Sequence, residues 1–152
     1  MTQEEKKLLL EDLCARLPYG VIIKTSQGIG HLNEISLSPF GHELGVNIKA
    51  IRIHFKLEDC KPYLRPLSSM TEEEKEEFNT IWEGGFSKVL DLQIETDLKT
   101  IEDSSFEGNY NNVRYLEIIT AFNTIQWLLS KHFDLGLIEK GLALEASNDM
   151  YK

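Results

Sequence analysis

Cysteine is nearly missing from this chain: Cys14 and Cys60 are the only two among 152 residues, and they stand far apart. Two scattered thiols make no disulfide framework, so reduced thiols in a cytoplasmic protein are expected. Histidine is almost as sparse. His31, His42, His54 and His132 lack the paired spacing of a metal site, and no Cys-x-x-Cys occurs, so neither metal nor cofactor is expected. A long apolar run is lacking too. The start, Met1 to Lys7, is polar, and Leu8-Leu9-Leu10 is broken by Glu11-Asp12, which excludes a signal peptide or membrane helix there.

The common catalytic motifs are also absent. There is no Walker loop and no G-x-S-x-G, and Gly28-Ile29-Gly30 lacks both the third glycine and the following helix of a dinucleotide-binding turn. A site assembled from distant positions, such as His54 with Cys60, stays open. His132 with Asp134 is the nearest approach to a polar pair, and its plainer reading is a histidine at a helix C-terminus, favoured there by the dipole. No catalytic residue can be named, and the balance leans against an enzyme.

What is present is patterning. Thr2 with Glu5 fits a capping box, and Leu10, Leu13, Cys14 and Leu17 mark one helical face, which places Cys14 in the core. Leu17-Pro18-Tyr19-Gly20 stops that helix. Val21 to Thr25 predicts a strand, and Ile29 to Leu37 a second one that Gly30 weakens or bulges. Ser38 to Gly45 is expected as a loop, and Val46 to Ile48 as a short third strand. Ile51 to Glu58 alternates without fault: Ile51, Ile53, Phe55 and Leu57 on one face, Arg52, His54, Lys56 and Glu58 on the other.

Pro62 and Pro66 make 61–66 a stiff extended connector. Thr71 with Glu74 is a second capping box, opening a helix over about 72–82 that Gly84-Gly85 ends. Leu92, Ile94, Thr96 and Leu98 alternate as in a strand. A helix over about 113–131 carries the stripe Tyr115, Ile118, Phe122, Ile125 and Leu129, expected to lie deep against a neighbour. Phe133 to Gly141 predicts turns with a short helical piece, and Leu142 to Glu145 a terminal strand. These elements predict a single α+β domain over 1–152. It has an N-terminal helix, a small antiparallel sheet or SH3-like barrel at about 20–60, the connector at 61–70 and a mainly helical half from 71 onward.

The charge is uneven. The formal net charge is −9, which argues against binding nucleic acid over the whole surface. Residues 67–107 hold three basic and twelve acidic side chains, whereas 46–66 hold five basic and two acidic. The basic stretch supplies the candidate binding residues Arg52, His54, Lys56, Lys61, Tyr63 and Arg65. As a strip they suit phosphates or an acidic partner, and the plainer reading is a solvated strand face.

Three stretches carry a resemblance: Leu9 to Val21 (LLEDLCARLPYGV), Cys60 to Glu76 (CKPYLRPLSSMTEEEKE) and His132 to Tyr151. In them the chain resembles a group of short proteins of gut anaerobic bacteria and their phages or prophages. That group has no known activity. The match departs at Asp134-Leu135-Gly136, one residue shorter than the group's Asp-Tyr-Arg-Gly pattern. The resemblance implies a bacterial or phage cytoplasmic setting and transfers no catalytic residue. The leading expectation is a non-enzymatic module that binds a protein partner. The alternatives are a nucleic-acid-binding small barrel using 49–65 and, third, a small hydrolase.

Overall fold

A computed structural model describes residues 1–38, 41–82, 107–147 and 149–151. The chain divides into two compact units. The first comprises Met1–Ser69 with Leu128–Lys152, and the second is Met70–Trp127. The expected division into a sheet part and a helical half from 71 onward therefore fails at the C-terminus, whose last stretch packs with the sheet. Among the described residues, no helix is long and apolar enough to cross a membrane.

The first unit opens with helix α1, Gln3–Arg16. Its capping box is complete: the Glu5 amide donates to Thr2 Oγ1, and the Thr2 amide to the Glu5 carboxylate. The 3-10 turn Leu17–Tyr19 ends it, with Gly20 left-handed. Five strands follow in chain order: β1 Ile22–Thr25, β2 Gly28–Ser38, β3 Gly41–Ile48, β4 Ile51–Lys56 and β5 Lys61–Leu64. A last short strand, β6, is Leu144–Glu145. The sheet order is β4-β3-β2-β1-β5-β6, antiparallel throughout except for the parallel β5–β6 pair. The class is α+β. The sheet is open, ending at β4 and β6, so the barrel alternative is corrected: β1 takes β5 as its second neighbour and leaves β4 at the far margin.

Leu9 and Leu13 of α1 cover one sheet face and share a core with Val21, Ile23, Leu32, Leu44, Val46, Phe55 and Leu57. Cys14 is exposed, contrary to expectation. The buried face of α1 runs through Leu9, Leu13 and Arg16, and at about 100° per residue Cys14 turns away from it. Cys60 is fully buried in that core, and burial pushes its thiol up to about 12.

The second strand keeps its apolar residues inward by a bulge between Leu32 and Glu34. The extra residue shifts the period, so that Leu32 and then Ile35 both meet the core. Gly30 is not the bulge. A Cβ there would stand 2.3 Å from the Asn47 carbonyl oxygen, so only glycine lets β3 approach. The expected loop at Ser38 to Gly45 is also corrected, since β3 already begins at Gly41.

The proline connector is corrected as well. Residues 61–64 are extended, as the prolines require, but they form an internal strand. Pro62 faces Ile23, and the ladder to β6 begins only at Tyr63. The missing proline donor thus points to the side where no partner is needed yet. Continuing that register sets Ile22 opposite Tyr63. There the Tyr151 hydroxyl stands between the strands, accepting from the Ile22 amide at 3.1 Å and donating to the Tyr63 carbonyl.

In the second unit, residues 72–82 form helix α2, opened by the reciprocal Thr71–Glu74 capping box. Helix α3, Glu107–Ser130, runs from this unit into the first. Phe78 and Trp127 meet with ring centroids 5.7 Å apart, and Trp127 Nε1 donates to Glu77. The expected stripe on α3 is only partly buried. Leu129 is covered, whereas Ile118, Phe122 and Ile125 are exposed. The expected strand at 92–98 and the stop at Gly84-Gly85 lie outside the described residues.

Two outcomes follow. Tyr151→Phe leaves the Ile22 amide and the Tyr63 carbonyl without their bridge and should cost about 1–3 kcal/mol in urea unfolding. Lys49 and Ala50, between β3 and β4, both have positive φ, 48° and 66°. That is the two-residue hairpin turn glycine favours at its second position. Ala50→Gly should therefore raise stability by up to about 1 kcal/mol, measured as a higher Tm.

Candidate functional site

The left-handed pair Lys49-Ala50 sets the geometry of the sheet margin. A two-residue hairpin makes the flanking Ile48–Ile51 a hydrogen-bonded pair, and such pairs then alternate along the ladder. Val46–Ile53 and Leu44–Phe55 are bonded pairs in turn. The backbone groups of Arg52, His54 and Lys56 consequently face away from β3. Among the described residues, β4 has no second neighbouring strand. The alternation that turns those backbone groups outward also puts all three side chains on one face, and all three are exposed.

That face is organised around Glu34 of β2. Arg52 Nη1 is 3.2 Å from its carboxylate, and Arg52 Nη2 donates to Asn33 Oδ1 at 2.7 Å. His54 Nε2 lies 3.7 Å from the same carboxylate. Gly45 of β3 stands between Glu34 and His54 in the register, and a Cβ there would meet the Glu34 Cβ at 2.9 Å. A missing side chain on the middle strand thus lets groups on β2 and β4 reach one another. On the opposite face Ile51 is 64% exposed, an uncovered apolar residue at the start of the same strand.

At its other end β4 runs into a cleft of about 840 Å³ beside the first turns of α1. Lys6, Ser36, His42, Glu43, Lys56 and Glu58 are among its walls. Lys6 Nζ is 3.4 Å from Glu58. The Glu58 carboxyl is held below its usual range by a backbone hydrogen bond first, then by Lys6. His42 Nδ1 is buried without a hydrogen-bond partner. The lining offers donors of both ring and ammonium type beside two carboxylates, which suits a polar, charged segment.

The six expected binding residues are not one strip. Arg52, His54 and Lys56 are together on β4, but Lys61, Tyr63 and Arg65 belong to or follow β5, with β3, β2 and β1 in between. At about 4.8 Å per strand, that spacing separates the two groups by about 19 Å. Lys61 Nζ donates to the Gly141 carbonyl, and the Tyr63 carbonyl accepts from Tyr151. Arg65 lies 4.4 Å over the Phe133 ring and donates to the Ser69 carbonyl. The β5 trio therefore holds the C-terminal stretch onto the sheet. His54 is exposed and Cys60 buried, and no cluster of three metal-ligating side chains occurs among the described residues.

A second polar group was not visible in the sequence. Arg16 is buried whole. Its Nε and Nη2 bind Asp12 at 2.7 and 3.0 Å, and Nη2 also donates to the Phe133 carbonyl at 2.8 Å. His132 follows α3 with φ 59°, its amide bonded to the Leu129 carbonyl and the Phe133 amide to that of Leu128. This is a Schellman stop with histidine where glycine is usual. Its ring stacks on Tyr151 at 3.9 Å between centroids. Burial first, then the charges of Arg16 and Arg65 with His31 adding, hold the imidazole down at about 4. The expected dipole-favoured cation is thus corrected: the ring is neutral and structural. Asp134 instead accepts from the Leu137 and Ile138 amides.

The pH consequence has a definite sign. The unfolded imidazole titrates near 6.5, so between about 6.5 and 4 the unfolded chain binds the extra proton. His132 therefore contributes stability that is present above that window and lost as pH falls through it. His132→Asn, which tolerates the left-handed backbone, should flatten the decline of Tm between pH 7 and pH 4.

No protein-family model, no curated protein and no solved structure matches this chain.

Proposed function

We propose that this chain is a non-enzymatic interaction module, phage- or mobile-element-related and acting in the cytoplasm, that binds a protein partner along the open margin of β4. The observation that carries the reading is the coincidence on one strand of backbone groups that face no other strand among the described residues and exposed side chains at Arg52, His54 and Lys56. A row of outward amides and carbonyls is a ready template for an incoming strand. Glycine at position 45 and the hairpin turn at 49–50 set that margin firmly on the core, so little ordering is left for binding.

The nucleic-acid alternative draws on the same side chains with less support. Its other cations, Lys61 and Arg65, are across the sheet and engaged with the C-terminal stretch. Phosphate binding gains from many contiguous cations, and β4 presents two arginine or lysine side chains beside Glu34 and Glu43.

His54→Pro tests the reading. Its amide points away from β3, so proline there removes an outward donor while leaving the β3–β4 ladder intact. Circular dichroism and Tm should stay close to wild type while capture of the partner from host lysate is lost. Equal capture by wild type and variant would sink β4 as the docking strand.

A further inference from the structure

The partner's chemistry is written on the margin of β4. We infer that β4 accepts an extended segment of another protein in which acidic and apolar residues alternate, a deepening that rests on the docking reading above.

A strand added to β4 continues the sheet, so its residues stand directly opposite those of β4 and share their faces. On one face the incoming side chains meet Arg52, His54 and Lys56. Opposite charges in such cross-strand pairs are favourable and like charges unfavourable. Every second position of the incoming segment is therefore matched by aspartate or glutamate. The existing acids do not satisfy this edge from outside. Glu34 and Glu43 are on β2 and β3, inboard of β4, so an arriving carboxylate meets Lys56 directly and competes with Glu34 and Asn33 for Arg52, which reaches inboard to them at 3.2 and 2.7 Å. On the other face the incoming residues stand against Ile51, which is 64% exposed, and half-buried Ile53. Those positions are matched by apolar side chains.

The same rule excludes the simplest competitor, a second copy of the chain. Two β4 strands paired antiparallel about their own centre put Arg52 opposite Lys56 of the other copy, cation against cation, or opposite His54, which offers it no carboxylate. Basic residues along an edge are a common means of blocking self-pairing, and here they leave an acidic strand as the segment that fits. The strand's far end reaches the cleft that holds Lys56, Lys6 and His42, with its buried unpartnered Nδ1. The segment's last acidic group finds further donors there.

The test uses the full chain and three synthetic peptides of about eight residues, the length of an ordinary strand with its ends. One alternates glutamate with valine or isoleucine, one alternates lysine with the same residues, and one alternates serine. Binding is followed by fluorescence titration and the site by amide chemical shifts of β4. The acidic peptide should bind at least about tenfold more tightly than the lysine peptide and weaken as salt is raised. The surface variant Arg52→Glu/Lys56→Glu should invert the preference. If the serine or lysine peptide binds as well as the acidic one and His54→Pro abolishes it, the acidic assignment falls while docking at β4 stands. If no peptide moves the β4 amides, both fall. A short DNA or RNA duplex that outcompetes the acidic peptide, or a concentration-dependent dimer closed through β4, would also overturn the assignment.

Discussion

One buried guanidinium conditions the arrangement of the first unit. Arg16 is at the end of α1 with no exposure, and a charge in that position is tolerable only when paired and hydrogen-bonded; Nε and Nη2 meet that condition, while Nη1 is buried without a partner among the described residues. Asp12 one turn earlier neutralises it through two hydrogen bonds, and the Phe133 carbonyl takes a third. The last contact joins positions remote in sequence. Around it gather the stacked His132 and Tyr151, the Arg65 guanidinium over Phe133, and the Arg65 backbone bonded to His132 and Asp134. Asp12 and Arg16 of the stretch 9–21, Arg65 of the stretch that begins at Cys60, and His132, Phe133 and Tyr151 of the stretch 132–151 meet here.

This arrangement makes the two margins of the sheet unlike. At β5 and β6 the C-terminal stretch supplies a short parallel strand, a bridging tyrosine hydroxyl and the bond from the Ala146 amide to the Leu64 carbonyl. At β4 nothing among the described residues plays that part. The polar alternation of β4 keeps this margin compatible with water, and its cations discourage pairing with a copy of itself.

Local chemistry was legible in the sequence wherever a short-range rule determined it. Both capping boxes formed as read, because Thr2 with Glu5 and Thr71 with Glu74 need only each other. The period-2 pattern expected over 51–58 set the faces of β4 as far as Lys56, where the 3-10 turn Leu57–Asp59 takes over, and Ile51 on the face expected inside is exposed; the class α+β followed from the order of periodicities. What depends on distant partners was not legible. The extended 61–64 became an internal strand only because Tyr151 and β6 arrive from the far end of the chain. Cys14, expected in the core, is exposed because the fully buried face of α1 runs through Leu9, Leu13 and Arg16, with Leu10 only partly covered beside it. Of the six expected binding residues, β4 keeps three side by side, since neighbours on one strand stay neighbours. The other three were separated by a strand order that no local pattern encodes.

The first unit is built from both ends of the chain, with residues 70–127 between its two pieces. During synthesis the sheet emerges from the ribosome long before Phe133, Ala146 and Tyr151 exist to complete it. Arg16 must wait without its carbonyl acceptor, and β5 without its far neighbour, while some sixty residues pass through the exit tunnel. Pairings of such high sequence separation form late and slowly. Exposed strand edges in the interval are the features that chaperones meet on nascent chains. Nascent chains stalled before Phe133 should therefore be open to proteolysis that chains carrying Phe133, Ala146 and Tyr151 resist.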